Sequence, residues 1–136
     1  MAAGTTPIFP DTARSPRGRL TVANTNRDGS TGTYVTLFTA GTDGSRFDGF
    51  RWISEEAATA ANAVRLFIED ANDAGNNELI YEGVVAATTF AAGTTPVPSG
   101  GFFPPEGIVL SGNTVVYSNV HATDTFGIHL TGGGDF

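Results

Sequence analysis

Short runs of alternating or β-branched residues recur along this chain, and each run is bounded by residues that favour turns. Eighteen glycines and seven prolines in 136 residues supply those turns. Such regular spacing is typical of all-β domains, because each run suits one strand and each break suits one reversal of the chain. The runs predicted as strands are 20–23, 33–40, 45–55, 63–70, 78–86, 107–110, 114–120 and 124–131. We therefore expect a single antiparallel β-sandwich of about eight strands, jelly-roll-like.

Two local patterns refine this prediction. Phe47 is out of phase with Phe50 and Trp52, so a bulge at residues 48–49 is needed to bring all three side chains to one face. The alanine-rich segment 55–62 is the one helical candidate, but it is shorter than the ~12–15 residues that an independent helix needs. We predict a loop there, with at most one helical turn.

Residues 1–19 differ in charge from the rest of the chain. They carry three arginines and one acid, for a charge of +2, whereas the remainder carries four arginines and thirteen acids, for a charge of −9. Three prolines and few large apolar residues give this segment little to bury. We predict an extended basic N-terminal arm at 1–19 and a β-sandwich domain at 20–136. The candidate partner-binding residues of the arm are Ile8, Phe9, Arg14, Arg17 and Arg19.

The segment 90–106 is a long stretch without a strand pattern, and loops of that length tend to be functional or disordered. Phe102 and Phe103, beside Pro104, give it an apolar tip. The segment is either a lid over one end of the sandwich or an intermolecular contact. Phe102 and Phe103 are accordingly a second pair of candidate partner-binding residues.

No motif in the sequence predicts catalysis. The chain has no cysteine and no Gly-x-Ser-x-Gly elbow. His121, Asp124 and His129 have spacings that metal ligands can have, but the strand phase sends His129 outward and disfavours a cluster. Residues 70–78 only superficially resemble a calcium loop, although a β-loop calcium site there stays open. We expect no enzyme activity, no catalytic or metal-binding residues and no cofactor.

Charge and hydropathy narrow the partners. No apolar run approaches the ~18–20 residues of a membrane span, and the start of the chain lacks the pattern of a signal peptide. An acidic body repels phosphate, which argues against nucleic acid. Trp52, Tyr34, Tyr81 and Tyr117 could form a sugar-stacking platform, although strand aromatics more often pack between sheets. We therefore expect a protein made in the cytoplasm that binds neither membrane nor nucleic acid.

Several segments, in this order, resemble small virion proteins of tailed bacteriophages, in particular the jelly-roll capsid decoration or cement proteins. These segments are Asn26-Arg-Asp-Gly-Ser-Thr-Gly-Thr33, Thr39-Ala-Gly-Thr-Asp-Gly-Ser-Arg46, Val64-Arg-Leu-Phe-Ile-Glu-Asp70 and Gly132-Gly-Gly-Asp-Phe136. The resemblance spans residues 20–136 and leaves the arm out. It implies a scaffold that acts by binding, with the major capsid protein and neighbouring copies as partners and a homotrimer as the assembly.

The sequence-based hypothesis is thus a non-enzymatic structural protein that decorates or cements the outer surface of an icosahedral phage capsid. The acidic body fits that location, because packaged DNA would repel it. The alternative is a tail or head-fibre module that binds host-surface carbohydrate. That alternative requires Trp52, Tyr34 or Tyr117 to be exposed.

Overall fold

The computed structural model describes residues 10–55, 58–59, 61–70, 77–89, 93 and 97–136, and these residues contain strands and no helix. The strands in chain order are β1 (Thr12–Arg14), β2 (Arg17–Leu20), β3 (Val35–Thr39), β4 (Ser45–Phe47), β5 (Gly49–Ser54), β6 (Ala58–Thr59), β7 (Asn62–Glu69), β8 (Glu78–Val85), β9 (Thr88–Thr89), β10 (Ser99–Phe102), β11 (Ile108–Leu110), β12 (Val115–Val120), β13 (Phe126–Thr131) and β14 (Gly133–Asp135).

The strands form two layers. The first layer consists of two sheets with the strand orders β1-β14-β4-β11 and β10-β5-β13-β2. Four segments of the chain, which we call runs, each contribute one strand to both sheets, namely β1–β2, β4–β5, β10–β11 and β13–β14. The second layer is one sheet with the order β3-β12-β7-β8. All ladders between these strands are antiparallel.

The chain changes layer at nearly every connection between these runs, and the hairpin β7–β8 is the exception among the described strands. Eight runs in two four-run layers with crossing connections are the arrangement of a jelly roll. The prediction of an all-β antiparallel sandwich of jelly-roll type is therefore confirmed.

The hydrophobic core lies between the layers. Phe47 and Phe50 are fully buried and Trp52 is 6% exposed, so the phase change between them is real. β4 ends at Phe47 and β5 begins at Gly49, so the phase changes where the strand is interrupted at Asp48. Thr131 pairs with Gly49 and Gly134 with Arg46, so one register continues across this interruption, and the bulge at residues 48–49 stays a prediction. Other core residues from the two layers are Leu20, Leu37, Val64, Leu66, Val85, Leu110, Val116, Val120, Phe126, Ile128 and Leu130.

The described part of the predicted arm lies in the first layer. Residues 12–14 pair with β14, and residues 17–20 pair with β13, so β2 crosses the boundary that we predicted after residue 19. Pro10 precedes β1 and Pro16 separates β1 from β2, so neither proline removes an N–H group from a ladder. Ile8 and Phe9 lie outside the described residues.

Two further segments differ from the prediction. Within 90–106, residues 99–102 form β10, which pairs with β5. The sequence did not indicate this strand, because two of its four residues are glycines. A Cβ at Gly100 would lie 2.6 Å from a ring carbon of Trp52, so only glycine allows β10 to lie so close to that ring. Within 55–62, residues 58–59 form β6 and β7 already begins at Asn62.

Residues 21–34, which we call the covering segment, cross the outer face of the second layer. The backbone N–H of Asn24 donates to the carbonyl of Val120 at 2.7 Å, and the side-chain amide of Asn119 donates to the carbonyl of Asn26 at 3.1 Å. These contacts hold the covering segment against β12. The outer face of the first layer carries no comparable segment among the described residues.

Candidate binding surface on the outer face of the first layer

The open face of the first layer carries three basic side chains in one line. The alternation of buried and exposed residues in β5 and β13 sends Arg51 and His129 outward. In the register of the sheet, His129 lies opposite Arg17 on β2 on one side and opposite Arg51 on β5 on the other. Facing residues on neighbouring strands have their Cβ atoms about 4.5–5.5 Å apart, so His129 is in direct reach of both arginines. We call Arg17, His129 and Arg51 the basic row.

A depression lies beside the basic row. In the next line of facing residues, Gly127 stands between Arg19 and Ile53, and the missing side chain leaves a hollow. The hollow has a volume of about 530 Å³, and its lining includes the basic row as well as Arg19, Ile53 and Glu55. Arg19 is not free to bind elsewhere, because its Nε contacts a carboxylate oxygen of Glu55 at 2.7 Å across the hollow.

The electrostatics of this face are opposite to those of the whole protein. The chain has a net charge of −7, yet three of its seven basic residues, namely Arg17, Arg19 and Arg51, line this one hollow. Arg17 and Arg51 form no ion pair with any residue in the described part of the chain. Partial burial, then the positive charges of Arg51 and Arg17, hold the pKa of His129 below its ordinary value. Two unneutralised guanidinium groups beside a neutral imidazole are suited to bind an anion.

Apolar side chains border the basic row. Ile53 is 46% exposed and Phe103 is 55% exposed. The Phe103 ring lies over Gly49 and Gly101, where a Cβ would collide with it. A second depression of about 550 Å³ joins Phe103 to Arg51. The surface therefore combines charge with apolar area, as protein-binding surfaces do.

The structure brings some of the candidate residues together and separates others. Arg17, Arg19 and Phe103 share the open face of the first layer, together with Arg51, Ile53 and His129, which sequence reasoning did not select. The alternation of β5 and β13 contained a signal for Arg51 and His129. Their position beside Arg17 depends on a strand pairing that the sequence does not reveal.

Arg14 has a different role from Arg17. Its Nε donates to the Asp135 carboxylate at 2.8 Å, and the same carboxylate accepts the Ser45 hydroxyl at 2.5 Å and the Gly41 N–H at 3.2 Å. The Ser45 hydrogen bond, followed by Arg14, lowers the pKa of Asp135. These contacts fasten β1 to the C-terminal strand and occupy Arg14 within the fold.

Phe102 also belongs to the fold. It points inward, opposite to Phe103, and stacks on Tyr81 with ring centroids 5.4 Å apart. It packs against the hydrophobic core. The two adjacent phenylalanines that we selected together therefore have different environments, and only Phe103 is available at the surface.

The other chemical candidates are dispersed. Asp124 is buried and accepts a hydrogen bond from Asn62 at 2.9 Å, whereas His121 and His129 lie on different layers. The described ranges contain no group of three side chains that could hold a metal ion. The calcium hypothesis at residues 70–78 concerns a loop of which residues 71–76 lie outside the described part. Within the described residues no helix is long and apolar enough to cross a membrane.

The aromatic platform is not formed. Trp52 is 6% exposed, and its Nε1 donates to the Tyr81 hydroxyl at 3.1 Å. Tyr34 packs edge-on against Phe67 and Tyr117, with centroid distances of 5.3 and 6.4 Å. Trp52 is thus a core residue, and the sugar-stacking role considered for it is wrong.

Comparison with known proteins adds little. No protein-family model matches the chain, and a search of curated proteins finds no match. A chain in a solved structure of infectious bursal disease virus, Gt strain, aligns with a TM-score of 0.34 and 13% identity, over 98% of this chain and 36% of that chain. This chain thus spans about a third of the length of that chain. A similarity at this level supports no argument about function.

Proposed function

We propose that this protein is a non-enzymatic structural protein of a phage virion, which decorates or cements the outer surface of the icosahedral capsid by binding the major capsid protein. The observation that carries the proposal is the open face of the first layer, where the basic row lies beside exposed Ile53 and Phe103 on an otherwise acidic protein. The resemblance to jelly-roll decoration proteins supplies the setting, and the surface supplies the means of attachment.

The charge distribution supports a protein partner with an acidic surface. An acidic body is repelled by packaged DNA, which favours the outside of the head. A basic face on that body is attracted to carboxylates, and complementary charges orient the two surfaces as they meet. The face of this chain that carries Arg17 and Arg51 would therefore turn toward the capsid, and the acidic remainder would face the solvent.

The structure narrows the list of candidate contacts. Arg14 is bound to Asp135 and Arg19 to Glu55, so Arg17 is the arginine of the predicted arm with an unneutralised charge at the open face. Phe103 is the exposed member of the Phe102–Phe103 pair. Ile8 and Phe9 stay in the proposal as apolar anchors. Each contact is weak, but many copies on one shell, assembled as homotrimers with neighbouring copies, would gain affinity through avidity.

Co-sedimentation with phage heads stripped of this protein tests the proposal. We expect saturable binding of the wild-type chain, weakened at least tenfold by the double substitution Arg17→Gln and Arg51→Gln. Arg27→Gln is the control, because it removes a positive charge from the other layer, where Arg27 pairs with Glu82, away from the lining of the two depressions. Wild-type protein that stays in the supernatant at micromolar concentration contradicts the proposal.

The contribution of the N-terminus needs a separate truncation. Removing residues 1–19 would also remove β1 and β2 and their pairing with β14 and β13, so a loss of binding would not be informative. Removing residues 1–9 alone leaves both strands in place. We expect this shorter truncation to weaken co-sedimentation if Ile8 and Phe9 are anchors, and unchanged sedimentation would exclude them.

A further inference from the structure

The hollow over Gly127 combines unneutralised positive charge with a missing side chain. We infer that it is a carboxylate pocket, which takes the side chain of one glutamate or aspartate residue of the partner protein between Arg17 and Arg51. This inference rests on the proposed capsid-binding function for its biological setting, but its chemistry belongs to the isolated protein and is tested there.

The spacing of the strands supports binding by both arginines. Arg17 and Arg51 stand on β2 and β5, on either side of β13, so their backbones are about 10 Å apart. Both side chains are long and converge on the lining of one hollow of about 530 Å³. A carboxylate that enters the hollow beside His129, at the end away from Glu55, can therefore accept hydrogen bonds from two guanidinium groups, which match its planar geometry.

The surroundings favour a singly charged ligand. Glu55 borders the hollow, and the chain as a whole carries a net charge of −7, so repulsion grows with the charge of the ligand. A carboxylate side chain carries one negative charge, whereas a phosphate monoester carries nearly two. Ile53 forms an apolar wall of the same hollow, which suits the methylene groups of glutamate.

The position of His129 makes binding sensitive to pH. His129 faces Arg17 on β2 and Arg51 on β5. Its outward neighbours on β13 are Gly127 and Thr131. The other charged residues of the same face are Arg19 and Glu55, which lie beside Gly127. In the free protein partial burial, and then the charges of Arg51 and Arg17, lower the pKa of His129 and oppose its protonation. A bound carboxylate offsets their charge, and the protonated imidazole adds a further donor. By linkage the ligand binds more tightly as the pH falls below 6.5.

The test is an NMR titration of the intact chain with a glutamate-rich peptide, followed at the ring protons of His129. The chain has only one other histidine, His121, so a His129→Gln variant assigns the signal. We expect saturable shifts, a rise in the pKa of His129 on binding, and affinity about tenfold higher at pH 5.5 than at pH 7.5, equivalent to about one pKa unit of linkage. A peptide in which glutamine replaces glutamate is the control ligand.

Two variants separate charge from shape. Arg17→Gln with Arg51→Gln removes the proposed donors, and Gly127→Val fills the hollow without changing the charge. A Cβ at Gly127 would lie 2.9 Å from the carboxylate end of Glu55 and 3.5 Å from Ile53, so the flexible end of Glu55 must shift to admit the new side chain while the backbone is not affected. We expect each variant to weaken peptide binding at least tenfold and Arg27→Gln to leave it unchanged. Far-ultraviolet circular dichroism and the unfolding midpoint confirm that each variant is folded.

Three outcomes overturn the inference. The first is peptide binding that Gly127→Val does not affect. The second is tighter binding of inorganic phosphate than of the peptide. The third is tighter binding of a uronic-acid oligosaccharide than of the peptide, which would make the hollow a glycan-binding site. The two proposals fail independently. Wild-type protein that binds the peptide but not stripped heads rejects the capsid function alone, whereas protein that binds heads without a His129 shift rejects the carboxylate pocket alone.

Discussion

The outer faces of the two layers hold their arginines differently. On the first layer, Arg17 and Arg51 stand beside His129 and form no ion pair among the described residues. On the second layer, Arg65 is 1% exposed and its guanidinium group contacts other residues of the protein. The Nε of Arg65 contacts the Glu82 carboxylate at 2.5 Å, and its other nitrogens lie 3.1 Å from the Asn24 carbonyl and 3.1 Å from Nδ1 of His121.

The covering segment accounts for the difference. It lies over the second layer and removes Arg65 from water, so every donor there needs a partner within the protein. Arg27 of the covering segment also contacts Glu82, at 2.8 Å, and completes the network. On the uncovered face Arg17 and Arg51 have no acidic partner among the described residues and keep their capacity to bind a partner molecule. Burial thus obliges Arg65 to pair within the protein, whereas an exposed arginine pairs only where an acid lies in reach, as Arg19 does with Glu55.

The largest effect is expected for Arg65→Met. The substitution removes the buried donor of the Glu82 carboxylate and of the Asn24 carbonyl. We expect a loss of about 3 kcal/mol, the lower end of the range for a broken buried ion pair, because Glu82 is 22% exposed and keeps Arg27 as a partner. Urea unfolding followed by Trp52 fluorescence measures the change. Arg27→Met is the matched control, because its side chain is 68% exposed and pairs with the same carboxylate. It should cost less than about 1 kcal/mol. Equal losses for the two variants would refute a special role of burial.

Phe102→Ala should have the next largest effect. Phe102 is partly buried and stacks on Tyr81, so its removal should lower the free energy of unfolding by about 2–3 kcal/mol, somewhat less than for a fully buried phenylalanine. Phe103→Ala should cost less than about 1 kcal/mol, because that ring is already 55% exposed. In co-sedimentation the order should reverse, with folded Phe102→Ala protein binding heads normally and Phe103→Ala binding more weakly. A stability loss that is larger for Phe103 contradicts this assignment.

Glu82→Gln should reduce stability in a manner that depends on pH. The Arg65 hydrogen bond is the main cause that lowers the pKa of Glu82 in the folded protein, against the opposing effect of burial. Its stabilising contribution is therefore present above the unfolded pKa of about 4.3 and is lost as the pH falls through the folded value. We expect a loss of about 2 kcal/mol at pH 7, since hydrogen bonds to charged groups contribute about 1.5–3 kcal/mol. The gap between variant and wild type should narrow below pH 4.5, and a gap independent of pH would contradict the ionised pair.

The two faces also show what the sequence predicts and what it does not. The alternation in 45–55 and 124–131 and the phase change at Phe47 identify strands and their buried faces, because these are local properties. The alternation within 63–70 puts Arg65 on the face opposite Val64 and Leu66, but nothing in that pattern indicates that Arg65 is buried. The face is buried because the covering segment lies on it. The contacts of that segment with β12 join distant parts of the chain, as in the Asn119–Asn26 hydrogen bond between residues 93 positions apart.

The sequence predicts the candidate site only in part, for the same reason. Charge identified residues 1–19 as unusual, and Arg17 and Arg19 do line the open face. The separate arm was expected from prolines and low apolar content, but strand pairing of β1 and β2 depends on partners more than a hundred residues away, namely β14 and β13. The basic row forms only through that pairing, so neither His129 nor Arg51 could be selected from the sequence.

The smallest effect on stability is expected on the open face. Arg51→Gln removes an outward side chain without an ion pair among the described residues, so the free energy of unfolding at pH 7 should change by less than about 0.5 kcal/mol. The pKa of His129 should nevertheless rise, because Arg51 is one of the charges that lower it. A lowered histidine pKa means that the unfolded chain binds more protons, so wild-type stability falls as the pH drops below about 6.5.

In Arg51→Gln the free energy of unfolding should fall less steeply between pH 7 and pH 5 than it does in the wild type. Urea unfolding across this range, together with NMR titration of His129, measures both quantities on the same protein. Arg27→Gln supplies the control, since Arg27 pairs with Glu82 and removal of its charge should leave the His129 titration unchanged. An unaltered His129 pKa in Arg51→Gln would mean that the two side chains do not act on each other. The basic row would then not be a single electrostatic unit, and the difference between the two faces would reduce to exposure alone.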